Sequence, residues 1–307
     1  MTLFAAEPQN ACAAYTNLRN ATEGRGLAAR EHCDDLWRDY EKHADANFAT
    51  AFPVRLHERW FEMYLTVALL RAGIDVTCPK SKAGGPDILV TMADGARIWI
   101  EATCATPGAP GEPDSVPEPR YADIGAGEKP IVTSRPTEQM VLRLRNALAA
   151  KEIAYRNYLE AGIVAATDVL AVAINVHAVH WAFADMNDLM LRALYGRGDL
   201  VLTVNRETLK VVDSHHDQIT HVTKKKTGAS VGVQPLIDGS FPHISAVIGS
   251  GADAGNLPRR LGDDLILFPS LTANVAWPTG TIELGEEWTF AQATDGWDGK
   301  QLVYVAR

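Results

Sequence analysis

Residues 85–103 read Gly85-Pro86-Asp87-Ile88-Leu89-Val90-Thr91-Met92-Ala93-Asp94-Gly95-Ala96-Arg97-Ile98-Trp99-Ile100-Glu101-Ala102-Thr103. Two apolar, β-branched runs flank Ala93-Asp94-Gly95, and an Asp-Gly step between such runs is a specific local sign of a β-hairpin. With Gly95 in the left-handed position of a three-residue turn, Met92 lies opposite Ala96. Continuing that register sets Asp87 opposite Glu101 on one face. A two-residue Asp-Gly turn shifts the register and sets Asp87 opposite Ala102. In either case two carboxyl groups become near neighbours inside apolar strands. Carboxylates stripped of water repel each other and require a cation, a shared proton or a divalent ion.

Upstream of the hairpin, Pro53 opens an apolar helix from Val54 to about Ala72, stopped by Gly73. Glu62 shares a stripe with Leu65 and Leu69, at i+3 and i+7, so a third acid lies on an apolar face. Glu58, one turn earlier, is the competing candidate. Ile74–Cys78 reads as a short strand, and residues 9–47 read as helical. Downstream, Pro107, Pro110, Pro113, Pro117 and Pro119 open a long Pro/Gly-rich loop reaching Pro136, of the kind that serves as a lid or substrate-contacting segment. A second strong helix follows to about Gly162. In it Val141, Leu144, Leu148, Tyr155 and Leu159 form a stripe that contains Lys151, a cation out of place. Arg135 precedes this helix, and Arg143 and Arg145 are expected to face outward. Val169–Val176 is a buried strand and Met186–Tyr195 a helix. Further strands are expected near 200–204, 209–212, 244–248, 265–268, 281–284 and 302–305.

Alternating helices and strands after residue 50 predict an α/β fold: a central mixed β-sheet flanked by helices. The expected organisation is a helical region 1–50, an α/β core 51–260 with an insertion at 105–136, and a strand-rich extension 261–307 of the same domain. At 307 residues, 47% hydrophobic and 22% charged, the composition is that of an ordinary globular chain. It has no apolar run long enough for a membrane span and no secretory leader, which points to a cytoplasmic protein. Cys12, Cys33, Cys78 and Cys104 form no Cys-x-x-Cys pair and read as free thiols. The net charge of −9 counts against generic coating of nucleic acid, although an enzyme can concentrate positive charge in one cleft.

Three acids and a lysine on apolar faces suggest a metal-dependent hydrolase. Hard oxygen donors favour Mg, with Mn as the alternative. Glu62 on a helix, Gly85-Pro86-Asp87 opening a strand, and Ile100-Glu101-Ala102-Thr103 in the next strand resemble the PD-(D/E)xK, or restriction-endonuclease-like, nuclease superfamily over residues 55–176. The resemblance implies a restriction-endonuclease-like sheet and Mg-dependent phosphodiester hydrolysis of nucleic acid, a DNA endonuclease in the first place. It implies that Asp87 and Glu101 hold the metal, that Glu62 assists from the first helix as a third metal-holding carboxylate, and that Ala102 contributes its carbonyl. The chain departs from the pattern at Thr103, where the family carries its lysine. Relocation of that lysine to a neighbouring helix is a known variation, and Lys151 is the nominated replacement.

Each residue also has a plainer reading. Asp87 as a strand-start cap, Glu101 as an edge-strand charge, Glu62 paired with Arg59 or Arg55, and Lys151 snorkelling from a helix edge are the alternatives. His177 and His180 lack a third metal ligand at recognisable spacing. His215-His216 reads as a solvated loop, and Lys224-Lys225-Lys226 as an exposed basic tract able to meet phosphate. The rival function is a catalytically degenerate nuclease fold acting as a nucleic-acid-binding or assembly module. A hydrolase of smaller phosphate esters is a third reading.

Overall fold

A computed structural model describes residues 2–5, 8–79, 84–119, 134–292 and 300–305. The N-terminal region is not one helical run. It divides into α1 (Ala13–Asn20), α2 (Gly24–Tyr40) and the single turn α3 (Phe48–Ala51). Phe4, Tyr15, Trp37, Tyr40, Phe48 and Phe52 pack ring against ring and bind these pieces together. The next helix, α4 (Leu56–Arg71), buries ten of its residues, as its nearly all-round apolarity requires. It stops where Gly73 takes a φ of 79° and the N–H groups of Gly73 and Ile74 close on the carbonyls of Leu70 and Leu69.

The expected strand at 74–78 shrinks to β1 (Val76–Thr77). Beyond it come β2 (Ile88–Thr91) and β3 (Arg97–Cys104), whose register pairs Ile88 with Ile100 and Thr91 with Arg97. Gly95 sits at φ 86°, and Met92 N–H donates to the Ala96 carbonyl at 2.9 Å, so the three-residue turn is the one that forms. The helix α5 (Thr137–Glu160) leads to β4 (Val169–Asn175), all seven residues of which are buried. A fully apolar strand is what a position between parallel neighbours demands, and β4 lies parallel to both β3 and β9 (Ala246–Ser250).

Between β4 and β9 the chain forms α6 (Met186–Tyr195) and two small ribbons outside the main sheet. These are β5 (Arg197–Val204) with β6 (Val211–Gln218), and β7 (His221–Thr223) with β8 (Ser230–Gly232). His215 and His216 therefore lie on a strand, not in a loop. After β9 come β10 (Ile266–Pro269), β11 (Glu286–Gln292) and β12 (Lys300–Val305). The strand expected at 281–284 begins at Glu286 instead. These elements make one eight-stranded mixed sheet in the order β1-β2-β3-β4-β9-β10-β11-β12.

Side chains alternate across the sheet. Ile98, Ile100, Ala171 and Ala173 join one apolar cluster with α1–α4, and Trp99, Leu170, Val172 and Ile174 join a second with α5 and α6. Tyr155 fastens α5 to the sheet, its hydroxyl donating toward the carbonyls of Trp99 (3.2 Å) and Ala171 (2.5 Å). Asp168, just before β4, accepts from Arg97 through two bonds and from Trp99 Nε1, each at 2.9 Å, locking the far end of the hairpin. Arg145 does not face outward. It is buried, donates to the Gly232 carbonyl at 2.7 Å and stacks its guanidinium 4.3 Å above the Phe241 ring, so α5 is covered on that side by the β7–β8 ribbon and its neighbours. Among the described residues no helix is long and apolar enough to cross a membrane.

Candidate active site

The register places Asp87 one step before β2, opposite Glu101. The Asp87 Oδ2 accepts the Ala102 N–H at 2.8 Å, so the local cap reading of Asp87 and its place beside Glu101 hold together. Glu101 belongs to a strand paired on both sides, which removes the edge-strand reading. By alternation it points with Trp99 toward α5. There Lys151, one turn before the anchored Tyr155, donates from Nζ to Glu101 Oε1 at 2.7 Å. An ammonium thus reaches the second acid of the hairpin from another helix.

Glu62 approaches from α4, on the opposite side of the sheet. Its Oε1 accepts the Tyr40 hydroxyl at 2.6 Å and its Oε2 accepts Arg59 Nη1 at 2.8 Å. The plain ion-pair reading is therefore true of Glu62, and so is its presence at the cleft. Glu58 pairs with Arg55 in a more exposed position on the same rim. Arg55, Glu58, Arg59, Glu62, Asp87, Glu101, Ala102, Thr103 and Lys151 line a cleft of about 210 Å³. A larger chamber of about 600 Å³ shares Arg59, Glu62 and Asp87 with it and continues past His43, Asn47 and Gly85.

The electrostatics follow from burial and crowding of like charge. Burial raises the Asp87 carboxyl to about 8; Glu101 and Glu62 push the same way, while Lys151 and the Ala102 N–H pull back. Burial also raises Glu101 despite the opposing pull of Lys151. Tyr158, two turns beyond Lys151, is pushed up to about 12, by burial first and then by the fields of Glu101 and Asp87. Tyr40 is raised by burial and by Glu62. The cleft lining carries four carboxyl groups against the three cations Arg55, Arg59 and Lys151. The Oε2 atom of Glu101 is buried with no hydrogen-bond partner among the described residues. Such an orphaned acceptor beside a second carboxyl is a place where a cation gains the most.

That oxygen donor set fits a hard divalent ion at the Asp87–Glu101 pair. Among the described residues, no three His, Cys, Asp or Glu side chains stand together at metal-holding spacing, consistent with both Glu62 oxygens being engaged by Tyr40 and Arg59. His177 pairs with Asp253, Nε2 to Oδ2 at 2.5 Å. The Lys224–Lys226 tract docks on acids of the Pro-rich segment: Lys225 N–H meets Asp114 Oδ1 at 2.6 Å, and Lys226 Nζ meets Glu112 Oε2 at 2.6 Å. Part of that segment packs against α5, with Val116 buried and Arg143 holding the Thr106 carbonyl at 2.7 Å. Residues 120–133, central to the expected lid, lie outside the described residues. None of the four cysteines is in a disulfide.

The sequence reading did not single out Tyr40 or Tyr155, and it treated Arg59 only as a surface partner. Tyr155 had a usable signal, since it stands four residues after Lys151 on the same stripe. Comparison with protein-family models, curated proteins and solved structures returns no match for the chain.

Proposed function

We propose that this protein is a divalent-metal-dependent phosphodiesterase of restriction-endonuclease-like type that cleaves nucleic acid, with DNA as the first substrate to test. The observation that carries the reading is the Lys151–Glu101 contact at 2.7 Å, which supplies an ammonium to the acidic pair from α5 although position 103 is threonine. Asp87 and Glu101 are the metal-holding pair, Mg or Mn being the fitting ions, with the Ala102 carbonyl as a further donor. When bound, the ion would supply Lewis acidity and lower the pKa of a coordinated water. Lys151 pulls the raised Glu101 carboxyl back toward its ionised form and has N–H groups left to orient a water or meet charge building on a phosphoryl oxygen. Glu62, held by Tyr40 and Arg59, adds negative potential behind Asp87 and fixes Arg59 at the cleft rim.

The test is metal-dependent cleavage of plasmid DNA, RNA and free nucleotides, in parallel with thermal melting in Mg²⁺, Mn²⁺ and chelator. We expect cleavage of a polynucleotide that needs the ion and disappears in Asp87→Asn and Glu101→Gln. An ion that neither shifts melting through these carboxylates nor supports cleavage removes the proposal. The net charge of −9 and Thr103 favour a second reading, a degenerate nuclease fold that binds without cutting. It shows binding of nucleic acid with no metal-dependent cleavage.

A further inference from the structure

The β5–β6 ribbon carries an unusual surface. Leu200, Leu202, Val204, Leu209, Val211 and Val212 are six of the nine large apolar residues that stand exposed among those described; Leu200 and Leu202 are 56% and 52% accessible. Each strand of the ribbon has eight residues, about 26 Å of extended chain. Among the described residues β5 and β6 pair only with each other. A two-stranded ribbon is marginal in water, and a long apolar ribbon with open edges is a template for further strands. Leu200 and Leu202 face the same way as their cross-strand partners His216 and Ser214, whereas Val201 and Thr203 share the other face with His215 and Asp213.

The occupant that suits this edge is written into β6. A two-fold axis normal to the ribbon makes two copies of β6 antiparallel and keeps each face on its own side. Centred on Ser214, that register sets Ser214 against its own copy and Asp213 against His215 of the second chain, twice by symmetry. Centred instead on His215 it sets Asp213 against Asp217, a like-charge pair. Asp213 and His215 already contact within one chain, Nδ1 to Oδ2 at 3.1 Å, so the two groups are compatible neighbours. Nucleic acid fits the ribbon poorly: Asp199, Glu207, Asp213 and Asp217 outnumber Arg197, Arg206 and Lys210, and the exposed leucines offer nothing to phosphate.

We infer that the β5–β6 ribbon is a self-association arm, through which two copies of this chain pair their β6 strands antiparallel about Ser214 into a four-stranded sheet. The inference does not depend on the chemistry of the carboxylate cleft.

Sedimentation of the full chain over a hundredfold concentration range, with oxidative cross-linking of Ser214→Cys, tests it. Directly opposed strand positions lie about 4.5–5.5 Å apart at Cα, within disulfide reach. We expect a reversible dimer in the unmodified chain and a cross-linked dimer from Ser214→Cys but not from Thr208→Cys in the hairpin loop. Asp213→Arg should weaken dimerisation about tenfold or more, and adding His215→Asp to it should restore the affinity. These strands are exposed, and unchanged thermal melting of each variant separates lost pairing from lost folding. A monomer throughout, a dimer unaffected by Asp213→Arg, or cross-linking from position 208 alone overturns the inference.

Discussion

Replacing Lys151 by Met keeps an unbranched side chain on α5 and deletes the ammonium. In the native protein the Lys151 and Glu101 side chains are 21% and 9% exposed, and their charged atoms stand 2.7 Å apart. Two unit charges about 4 Å apart attract by about 4 kcal/mol at the effective dielectric of about 20 that suits such sites. Desolvation of the ammonium cancels part of this, and an abandoned Glu101 can take up a proton instead of remaining charged. The expected net loss is about 2–3 kcal/mol at about pH 8.5, because Glu101 is pushed further up once the ammonium is gone. Burial already holds Glu101 above its ordinary value while Lys151 pulls it down. Without that pull the folded variant keeps its proton over a wider range than the unfolded chain, so its stability falls as pH rises through that range. Near pH 5, close to the ordinary glutamate range, protonating Glu101 in the folded variant costs little relative to the unfolded chain, so the penalty should shrink to about 1 kcal/mol or less. Urea unfolding of both proteins in chelator, at about pH 5 and about pH 8.5, reads the difference directly. A penalty that is equal at the two pH values, or greater at the lower one, refutes the assignment of Lys151 as the counter-charge of this pocket.

The other expectations concern the same pocket and its supports. Asp87→Asn retains an acceptor for the Ala102 N–H but removes a buried charge, so in chelator at about pH 8.5 it should stabilise the fold by about 1 kcal/mol while abolishing cleavage. Because protons compete for an Asp87 raised to about 8, the thermal shift produced by Mn²⁺ should grow from about pH 6 to about pH 8.5, with proton release measurable by calorimetry. Tyr155→Phe loses the hydroxyl contacts to the Trp99 and Ala171 carbonyls, and should cost about 1–2 kcal/mol in urea melts and lower turnover by loosening Lys151. Asp168→Ala leaves Arg97 and the Trp99 indole N–H without their shared acceptor, for an expected loss of about 3–5 kcal/mol in the same melts.

The hairpin was legible because its information is local. Asp94-Gly95 marks the turn, and either turn length it allows brings Asp87 beside Glu101 or its neighbour Ala102; the structure takes the three-residue turn that sets Asp87 opposite Glu101. Helix α4 and the buried strand β4 were legible through their apolar content, and Lys151 through its conflict with the stripe around it. Errors arose where distant chain segments decide the outcome. Arg145 reads as a surface cation on α5 and becomes buried because Gly232 and Phe241 arrive to accept and cover it. Lys225 and Lys226 stay exposed, as read, but only the fold brings Glu112 to the Lys226 ammonium and Asp114 to the Lys225 backbone N–H from more than a hundred residues away. Glu62 could be placed on an apolar face, but its clamping between Tyr40 and Arg59 depends on how α2 lies against α4.

Periodicity and turn chemistry, which act over a few residues, therefore determined by themselves that an α/β chain would carry two acids side by side on a hairpin. Only the tertiary structure decided that α5 lays Lys151 on Glu101, that α4 brings Glu62 from the opposite side of the sheet, and that burial raises the Asp87 and Glu101 carboxyls. Those outcomes are set by helix docking and by distances between groups far apart in the chain, and Coulomb and desolvation energies depend on those distances, not on sequence spacing.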